Sequence, residues 1–541
     1  MTDARKLLVA NRGEIAVRIF STCRRLGLGT VAVTGPGDEG ALHTRVADST
    51  VAVPSYLDAD ALVAAAIGSG ATLVHPGYGF LAESAAFAES VTEAGLTWVG
   101  PPADVLRRGG DKLEAKRIAA AAGVPTLPTG RPEELGFPLL VKASAGGGGR
   151  GMRVVEGPDD LADALGSAAR EAEAAFGDGT VYCERLLRSP RHVEVQLLGD
   201  RHGTVLALGT RDCSVQRRHQ KVVEESPPPG LSETVSDGIA AHAVSFAREL
   251  GYETAGTAEF LVEGDEVFFL ELNGRIQVEH PVTEAVTGLD LVELQLRVAD
   301  GAPLAGLEVT RSGHALEARL YAEDPRTFLP QPGVVRRLRL PAGIRVDAGI
   351  EEGDEIPASY DPMIAKLIAH GADRDEALER LRAALDDTTV EGVTTNLPFL
   401  RWLVAHPAFR TGGVSTDFLT RYPPLSPVPL EPPPGPWDGG WRLNLPAAAT
   451  FAPLNVDETA RGGGASAGGD GRITAPMPGK VIEIRVDTGD AVASHQTLVV
   501  LEAMKMEQVV TAPYDGAVRS VDVRVGDQVT SGAILVTLEA A

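Results

Sequence analysis

Cysteine is scarce: Cys23, Cys183 and Cys213 are the only three in 541 residues. They are too few and too scattered for a disulfide framework or a Cys-x-x-Cys metal site, so they read as buried, reduced thiols, and zinc is not expected. Long apolar runs are missing too. The most apolar window, residues 61–74, is a helix-length stretch broken by glycines, well short of a membrane span, and the N-terminus shows no signal-peptide pattern. A cytoplasmic protein with no membrane attachment is the expectation. Positive charge is in deficit, with 50 Lys and Arg against 74 Asp and Glu and a net charge of −24. That balance argues against generic binding to nucleic acid or anionic lipid, and it makes a local cluster of cations informative. One such cluster runs from Arg211 to Lys221 (RDCSVQRRHQK) and is read as an anion pocket, with ion pairs on a solvated face as the alternative for Arg217 and Arg218.

The C-terminal part is duplicated. Residues 475–492 (APMPGKVIEIRVDTGDAV) align without gaps on residues 512–529 (APYDGAVRSVDVRVGDQV). Each copy alternates apolar and polar residues with the period of a half-buried strand and ends in Gly-Asp, which predicts two small sheets packed face to face. Between the copies lies Glu502-Ala503-Met504-Lys505-Met506-Glu507. Lys505 is expected at a hairpin tip, where a long side chain and a group attached to it project into water.

At the other end, Lys6–Ala10 reads as a buried strand, Asn11-Arg12-Gly13 as a turn, Glu14–Leu26 as an amphipathic helix and Thr30–Thr34 as a strand, a βαβ unit. His75-Pro76-Gly77-Tyr78-Gly79-Phe80 ends a later strand in a rigid loop, and open α/β sheets place ligands at such strand ends. Residues 421–472 turn Pro-rich and then Gly-rich (PPLSPVPLEPPPGP, RGGGASAGGDG) and read as a connector.

Three stretches between these ends carry chemistry. Lys142-Ala143-Ser144-Ala145 leads from the apolar strand Leu139–Val141 into Gly146-Gly147-Gly148-Gly149-Arg150-Gly151-Met152, where bare backbone N–H groups can approach phosphate oxygens and Lys142 adds charge. Residues 257–272 (TAEFLVEGDEVFFLEL) read as a hairpin turning at Gly264-Asp265. A register that keeps Ala258, Phe260 and Val262 on one face with Phe268, Leu270 and Leu272 sets Glu259 opposite Glu271. Two facing carboxylates repel unless a cation lies between them, and a hard cation such as magnesium suits them together with Asn273. In Asn273-Gly274-Arg275-Ile276-Gln277-Val278-Glu279, an extended backbone would point Arg275, Gln277 and Glu279 to one side. There a guanidinium and an amide can hold a small planar oxyanion such as bicarbonate while the carboxylate takes its proton.

The hexapeptide around Lys505 in its duplicated setting closely resembles the biotinyl domain of biotin-dependent carboxylases. The ordered set KASAGGGGRGM, RHVEVQ, RDCSVQRRHQKVVEE, EFLVE, ELNGRIQVEHPVTE, EARLYAEDP and YDPMIAKL resembles the ATP-grasp enzyme biotin carboxylase over residues 4–420. The resemblance implies an α/β fold: an N-terminal doubly wound domain (1–110), an ATP-grasp domain (111–305) and a C-terminal α+β domain (306–420), with a linker (421–472) leading to an all-β flattened-barrel carrier (473–541). It implies that Lys112, Lys142, Gly148, Gly149, Met152, Glu184 and Leu187 with the strand between them, His192, Gln216 and His219 bind ATP, and that Glu259 and Glu271, helped by Asn273, hold magnesium or manganese. Lys221, Arg275, Gln277 and Val278 fall to bicarbonate or the carboxyphosphate made from it, Glu279 to the base and Arg319 to stabilising the biotin enolate. Lys505 would be biotinylated by a biotin protein ligase. The joining of the two parts resembles the α-subunits of acetyl-, propionyl- and methylcrotonyl-CoA carboxylases, which implies a separate carboxyltransferase β-subunit and an assembly with it. A carrier serving a non-CoA acceptor and a non-catalytic scaffold are the alternatives. The chain departs from the family at Gly109, Gly110 and Gly274, expected to loosen the backbone near the site, and in a shortened segment between Val124 and Leu139.

Overall fold

The computed structural model describes residues 5–144, 152–217, 220–427, 471–476, 479–503, 506–530 and 532–540. The chain divides into two compact units, the larger made of Met1–Tyr321, Val334–Asp354 and Met363–Ser426. It opens with the expected βαβ unit: strand Lys6–Val9, helix Gly13–Arg25 and strand Gly29–Thr34. The helix forms because Ile15, Ala16, Ile19, Phe20 and Cys23 recur at helical spacing, and all five are buried. Burial pushes the Cys23 thiol up to about 12, so it stays protonated and packs as a small apolar group.

Five parallel strands follow the order Ser49–Ala52, Gly29–Thr34, Lys6–Val9, Leu73–His75, Thr97–Trp98. The order reverses on either side of Lys6–Val9, and ligands collect at such switch points. The two motifs read separately in the sequence meet there, with Asn11 Nδ2 donating to the carbonyls of Pro76 and Tyr78 at 2.7 Å each. Gly77 is needed at this contact, since it has φ +63° and a Cβ would stand 2.8 Å from Asn11 Nδ2.

The centre of the unit is an eight-stranded sheet in the order Glu266–Asn273, Thr254–Glu263, Arg191–Gly199, Val205–Arg217, Gln220–Ser226, His314–Tyr321, Met363–Gly371, Arg345–Ala348. Every neighbouring pair in it is antiparallel. Gln220–Ser226 pairs directly with His314–Tyr321, so the hydrogen-bonded sheet continues across residues 305–306. A smaller sheet, Thr129–Gly130, Val181–Arg185, Leu139–Ala143 and Arg153–Val155, is backed by helix Leu161–Phe176 through Leu139, Val141, Val155, Ala168 and Cys183. The glycine run joins the antiparallel strands Leu139–Ala143 and Arg153–Val155. Its residues, Gly148 and Gly149 included, lie outside the described residues.

The expected register of the hairpin is corrected in part. The hairpin turns at Gly264-Asp265 and pairs Glu259 with Glu271, but a bulge after Glu259 shifts the register so that Phe260 faces Phe269. Phe269 is therefore the core residue at 1% exposure, while Phe268 and Leu270 are half-buried. The alternation expected from the sequence counted through the bulge as if it were absent. Two of the three glycines near the site are closely packed: a Cβ on Gly109 would stand 2.9 Å from Leu272 Cδ2, and one on Gly274 would stand 2.8 Å from Leu106 Cδ2, while one on Gly110 would meet nothing within 4 Å. Gly109 and Gly274 allow close packing behind the facing glutamates.

The smaller unit contains the duplicated segment, and its strands form two four-stranded sheets. One is Arg472–Thr474, Ile534–Ala540, Gly516–Val521, Ala491–Val492; the other is Met506–Thr511, Thr497–Ala503, Gly479–Ile484, Gln528–Val529. Counting each flanking strand with the copy it adjoins, each sheet takes two strands from each half, so neither half can bury its apolar face alone. Equivalent residues fill one core: Val481 with Val518, Val492 with Val529, Leu498 with Leu535 and Leu501 with Leu538. The two Gly-Asp turns match as well, Gly489 and Gly526 both having φ +100°. Strands Thr497–Ala503 and Met506–Thr511 pair up to Ala503 and Met506. Lys505 lies outside the described residues.

Gly199, at the end of a central strand, lets the chain pass so closely that a Cβ would stand 2.2 Å from the Tyr252 carbonyl oxygen. Gly199→Ala is expected to lower stability by about 1–3 kcal/mol through this clash with backbone. The midpoint of chemical denaturation checks it, and an unchanged midpoint would mean that the two strands separate at no cost.

Candidate active site

Strand register assembles the site from residues far apart in the chain. Glu271 faces Glu259, Glu259 faces Glu194, and Glu194 faces Arg211, a row running across four adjacent strands. Lys221, on the next strand, reaches into this row. Its Nζ lies 2.5 Å from Glu194 Oε2, 2.9 Å from Glu259 Oε1 and 2.6 Å from Glu279 Oε1. Burial alone would press the ammonium toward its neutral form, but Glu194, Glu259 and Glu279 outweigh it and hold Lys221 well above the ordinary lysine range.

The facing carboxylates end in opposite states. Burial favours a neutral Glu259, yet Lys221 and His192, whose Nε2 is 2.9 Å from Glu259 Oε2, hold it well below the usual range. Glu271 is pushed up, first by burial and then by the Glu259 charge it faces. Asn273 Nδ2 donates to Glu259 Oε1 at 3.0 Å, leaving Asn273 Oδ1 as an oxygen donor beside the pair, where it accepts from Arg275 Nη2 at 2.8 Å. Two repelling carboxylates and an amide oxygen are a donor set that fits a hard divalent cation.

Residues 274–279 are a bend and turn leading into helix His280–Thr287 rather than the extended segment expected. The turn still brings the three side chains toward the row. Gln277 Nε2 donates to Glu259 Oε1 at 2.9 Å, Arg275 Nε donates to Glu83 Oε2 at 3.1 Å, and Glu279 sits between two cations. Arg319 Nη2 donates to Glu279 Oε2 at 2.9 Å, opposite the Lys221 contact. Burial would raise the Glu279 carboxyl, but Lys221, Arg319 and Arg211 hold it well below the usual range. Val278 presents its carbonyl to Lys366 Nζ at 3.0 Å.

The anion-pocket reading of the basic cluster is corrected in part. Arg211 is fully buried and donates to Glu194, Gln196, Thr283, Thr257 and Gln277. It braces the acids from beneath and has no donor facing outward. Arg217 stacks over the Tyr321 ring at 5.7 Å, and Arg218 and His219 lie outside the described residues. Gln216 Nε2 meets His192 Nδ1 at 2.8 Å, which orients the imidazole toward Glu259.

On the smaller sheet, Lys142 Nζ lies 3.2 Å from Glu184 Oε2, and Lys116 pairs with Glu184 Oε1. Lys112 begins helix Lys112–Ala121, and burial lowers its pKa. Leu187 is buried and Met152 half-buried. Lys116 and Glu194 escaped the sequence reading. Glu194 had a signal: His192, Glu194 and Gln196 occupy every second position of RHVEVQ, a polar stripe on a strand whose other face, Val193 and Val195, is wholly apolar.

The segment bearing nearly all these side chains, residues 111–307, matches the family model described as Carbamoyl-phosphate synthase L chain, ATP binding domain, which places the chain among ATP-dependent ligases. Residues 3–106 match Biotin carboxylase, N-terminal domain; residues 317–421 match Biotin carboxylase C-terminal domain; residues 471–538 match Biotin-requiring enzyme. The chain is 48% identical over 439 residues to the biotin carboxylase of Pseudomonas aeruginosa, covering 77% of this chain and 98% of that one. It is 48% identical over 443 residues to the mitochondrial methylcrotonoyl-CoA carboxylase subunit alpha of Arabidopsis thaliana, covering 77% of this chain but only 60% of that protein. With the Dictyostelium discoideum subunit of the same name it shares 37% identity, covering 93% of this chain and 91% of that protein. Among solved structures, the biotin carboxylase domain of Hydrogenobacter thermophilus 2-oxoglutarate carboxylase, in complex with MgADP, ADP and bicarbonate, matches with a TM-score of 0.76 and 40% identity over 77% of this chain and 98% of that one. The chain belongs to the biotin carboxylase family, and it joins that enzyme to a biotin-requiring carrier domain.

Lys221→Met should move the acid limb of the stability curve to higher pH. With its pKa depressed, Glu279 contributes stability that is fully present above its unfolded value of about 4.3 and is lost only as pH falls through the lower folded value. Without Lys221 only Arg319 and Arg211 oppose burial, so the folded value rises and less of that stability remains, within a total loss of about 3–5 kcal/mol. Thermal midpoints from about pH 4 to 7 check it; parallel curves for variant and parent would contradict it.

Proposed function

We propose that this chain uses ATP and bicarbonate to carboxylate biotin carried on its own Lys505, as the α-subunit of an acyl-CoA carboxylase whose carboxyltransferase is a separate polypeptide. The observation that carries the reading is Glu279 held between Lys221 and Arg319, beside the facing pair Glu259 and Glu271. A carboxylate kept ionised by two cations accepts a proton at its oxygens, and the cations that hold it are equally suited to an oxyanion.

In this reading Glu259 and Glu271, with Asn273, would hold magnesium, which would supply positive charge against the phosphates. Lys112, Lys142, Gly148, Gly149, Met152, Glu184, Leu187, His192, Gln216 and His219 line the nucleotide site. Lys221, Arg275, Gln277 and the backbone of Val278 orient bicarbonate, and Glu279 takes its proton as the oxygen attacks the γ-phosphate and ADP departs; the carboxyphosphate formed breaks into phosphate and CO2, and the phosphate takes up the proton that the biotin nitrogen loses. Biotin, once attached, supplies the ureido nitrogen that accepts the carboxyl group. Arg319 offers its guanidinium to the negative charge that develops there, and Lys505, delivered by residues 421–472, shuttles between two active sites. The near full-length likeness to the Dictyostelium subunit supports an acyl-CoA acceptor, and three buried, unpaired cysteines support a reducing compartment such as the cytoplasm. Among the described residues no helix is long and apolar enough to cross a membrane.

Purified after co-expression with biotin ligase, the chain is expected to bind avidin, and Lys505→Arg to abolish that binding. Given labelled bicarbonate and ATP, it should label its own biotin but no acyl-CoA until a second polypeptide is added; a labelled acyl-CoA from the single chain would overturn the division of labour. Glu279→Gln keeps size and hydrogen bonding but cannot take the proton, so turnover should fall by about two to four orders of magnitude with little change in ATP affinity. A large loss of nucleotide binding would instead make Glu279 a brace.

A further inference from the structure

Strand Gln220–Ser226 carries a buried acid that the proposed chemistry leaves unused. Glu224 sits directly across from Glu317 on strand His314–Tyr321, and both residues are at 0% exposure. Side chains so placed have Cβ atoms about 4.5–5.5 Å apart, too close for two bare charges away from water. Neither oxygen of Glu317 has a hydrogen-bond partner among the described residues. The Glu224 oxygens also lack a hydrogen-bond partner among the described residues, but Oε1 forms an ion pair with Nη2 of Arg319, the nitrogen that also donates to Glu279 Oε2 at 2.9 Å. Arg319 is thus held from both sides, by an acid of the reaction centre and by one behind it. Its Nε is buried and without a hydrogen-bond partner among the described residues.

Charged and titratable groups face the pair from every side. Arg319 shares a strand with Glu317, Glu279 comes from the turn before helix His280–Thr287, Lys221 lies on the strand of Glu224, and Cys213 lies on the strand beyond it. Lys366 acts on Glu317 from strand Met363–Gly371, but its ammonium bonds the Val278 carbonyl at 3.0 Å and lies 3.4 Å from Glu14. Burial raises both acids. Glu317, with Lys366 and Arg319 offsetting too little, stays well above the usual range, while Arg319 holds Glu224 to about 7. Glu317 is thus the more strongly raised of the two, and Glu224, the one against Arg319, is the readier to ionise.

We propose that Glu224 is a positioning residue for the carboxyl-accepting step: lying across from Glu317 and against Arg319 Nη2, it fixes the Arg319 guanidinium beside Glu279. The inference rests on the assignment of Arg319 to the biotin acceptor. As pH falls through about 7, Glu224 takes a proton, its hold on Arg319 is lost, and acceptor chemistry slows before ATP chemistry does.

The test uses the full chain in a Lys505→Arg background, with free biotin as acceptor and acceptor-free, bicarbonate-dependent ATP cleavage measured in parallel. Glu224→Gln is expected to lower kcat for biotin carboxylation by about 10- to 100-fold, to erase the acid inflection near neutrality, and to leave ATP cleavage and KM for ATP within about threefold. An inflection that persists, or an equal loss of both activities, overturns the proposal. Should Glu224→Gln not fold, Glu224→Asp withdraws the charge by one methylene: biotin carboxylation falls while the inflection remains, and an unchanged kcat overturns the proposal. Glu317→Gln mimics the protonated acid, so its thermal midpoint should not drop; a fall of many degrees would put the charge on Glu317 and overturn the proton assignment. Arg319→Gln separates the two readings. If it leaves biotin carboxylation intact, the Arg319 assignment itself fails; if it abolishes carboxylation while Glu224→Gln behaves as the parent, only the present inference fails.

Discussion

One ammonium holds three buried carboxylates together, and the rest of the site is arranged around that fact. Lys221 contacts Glu194, Glu259 and Glu279, which approach from two strands and a turn. Three acids gathered out of water would neutralise themselves by taking up protons; with Lys221 among them and Arg211 and Arg319 at the edges, Glu259 and Glu279 stay ionised. Breaking such a network from one side leaves charges with no partner, so its members are coupled in stability as well as in chemistry. The two acids Glu259 and Glu279 are kept ionised by the same cation.

The antiparallel sheet makes this gathering geometrically simple. Residues facing one another across neighbouring strands share a face, so a row of functional groups can cross the sheet at right angles to the chain. Glu271, Glu259, Glu194 and Arg211 form such a row, and Glu224 with Glu317 begins a second one nearer the C-terminal strands. Because the sheet runs on from residues before 305 to strands after it, Arg319 on strand His314–Tyr321 reaches Glu279 on the turn before helix His280–Thr287, although the two lie 40 residues apart. The close approach of Gly274 to Leu106 and of Gly109 to Leu272 packs the back of that sheet.

Much of the site was readable because its chemistry demands residue types that are costly to bury. Facing glutamates on an apolar hairpin, a guanidinium and an amide at alternate positions, and a cation cluster in an acidic chain all stood out against their surroundings. The duplicated copies did too, since matched apolar positions and matched Gly-Asp turns leave few ways to fold. What misled the reading was local geometry. The bulge after Glu259 changes which phenylalanine enters the core, and the turn through residues 274–279 brings side chains together by a route that an extended backbone cannot take. Arg211 looked like part of an anion pocket because its partners, Glu194, Gln196, Thr257, Thr283 and Gln277, lie up to 72 residues away.

By itself the sequence determined the parallel opening sheet, the hairpin and its facing acids, the duplicated carrier and the family, because periodicity, turn chemistry and motif order are local properties of the chain. Only the tertiary structure decided which charges neutralise which. Whether Arg211 faces outward or braces the acids, whether Lys221 serves one carboxylate or three, and whether Glu224 and Glu317 meet at all depend on strand order and register. Those are set by the burial of apolar faces distributed over the whole larger unit, and no short stretch of residues contains them.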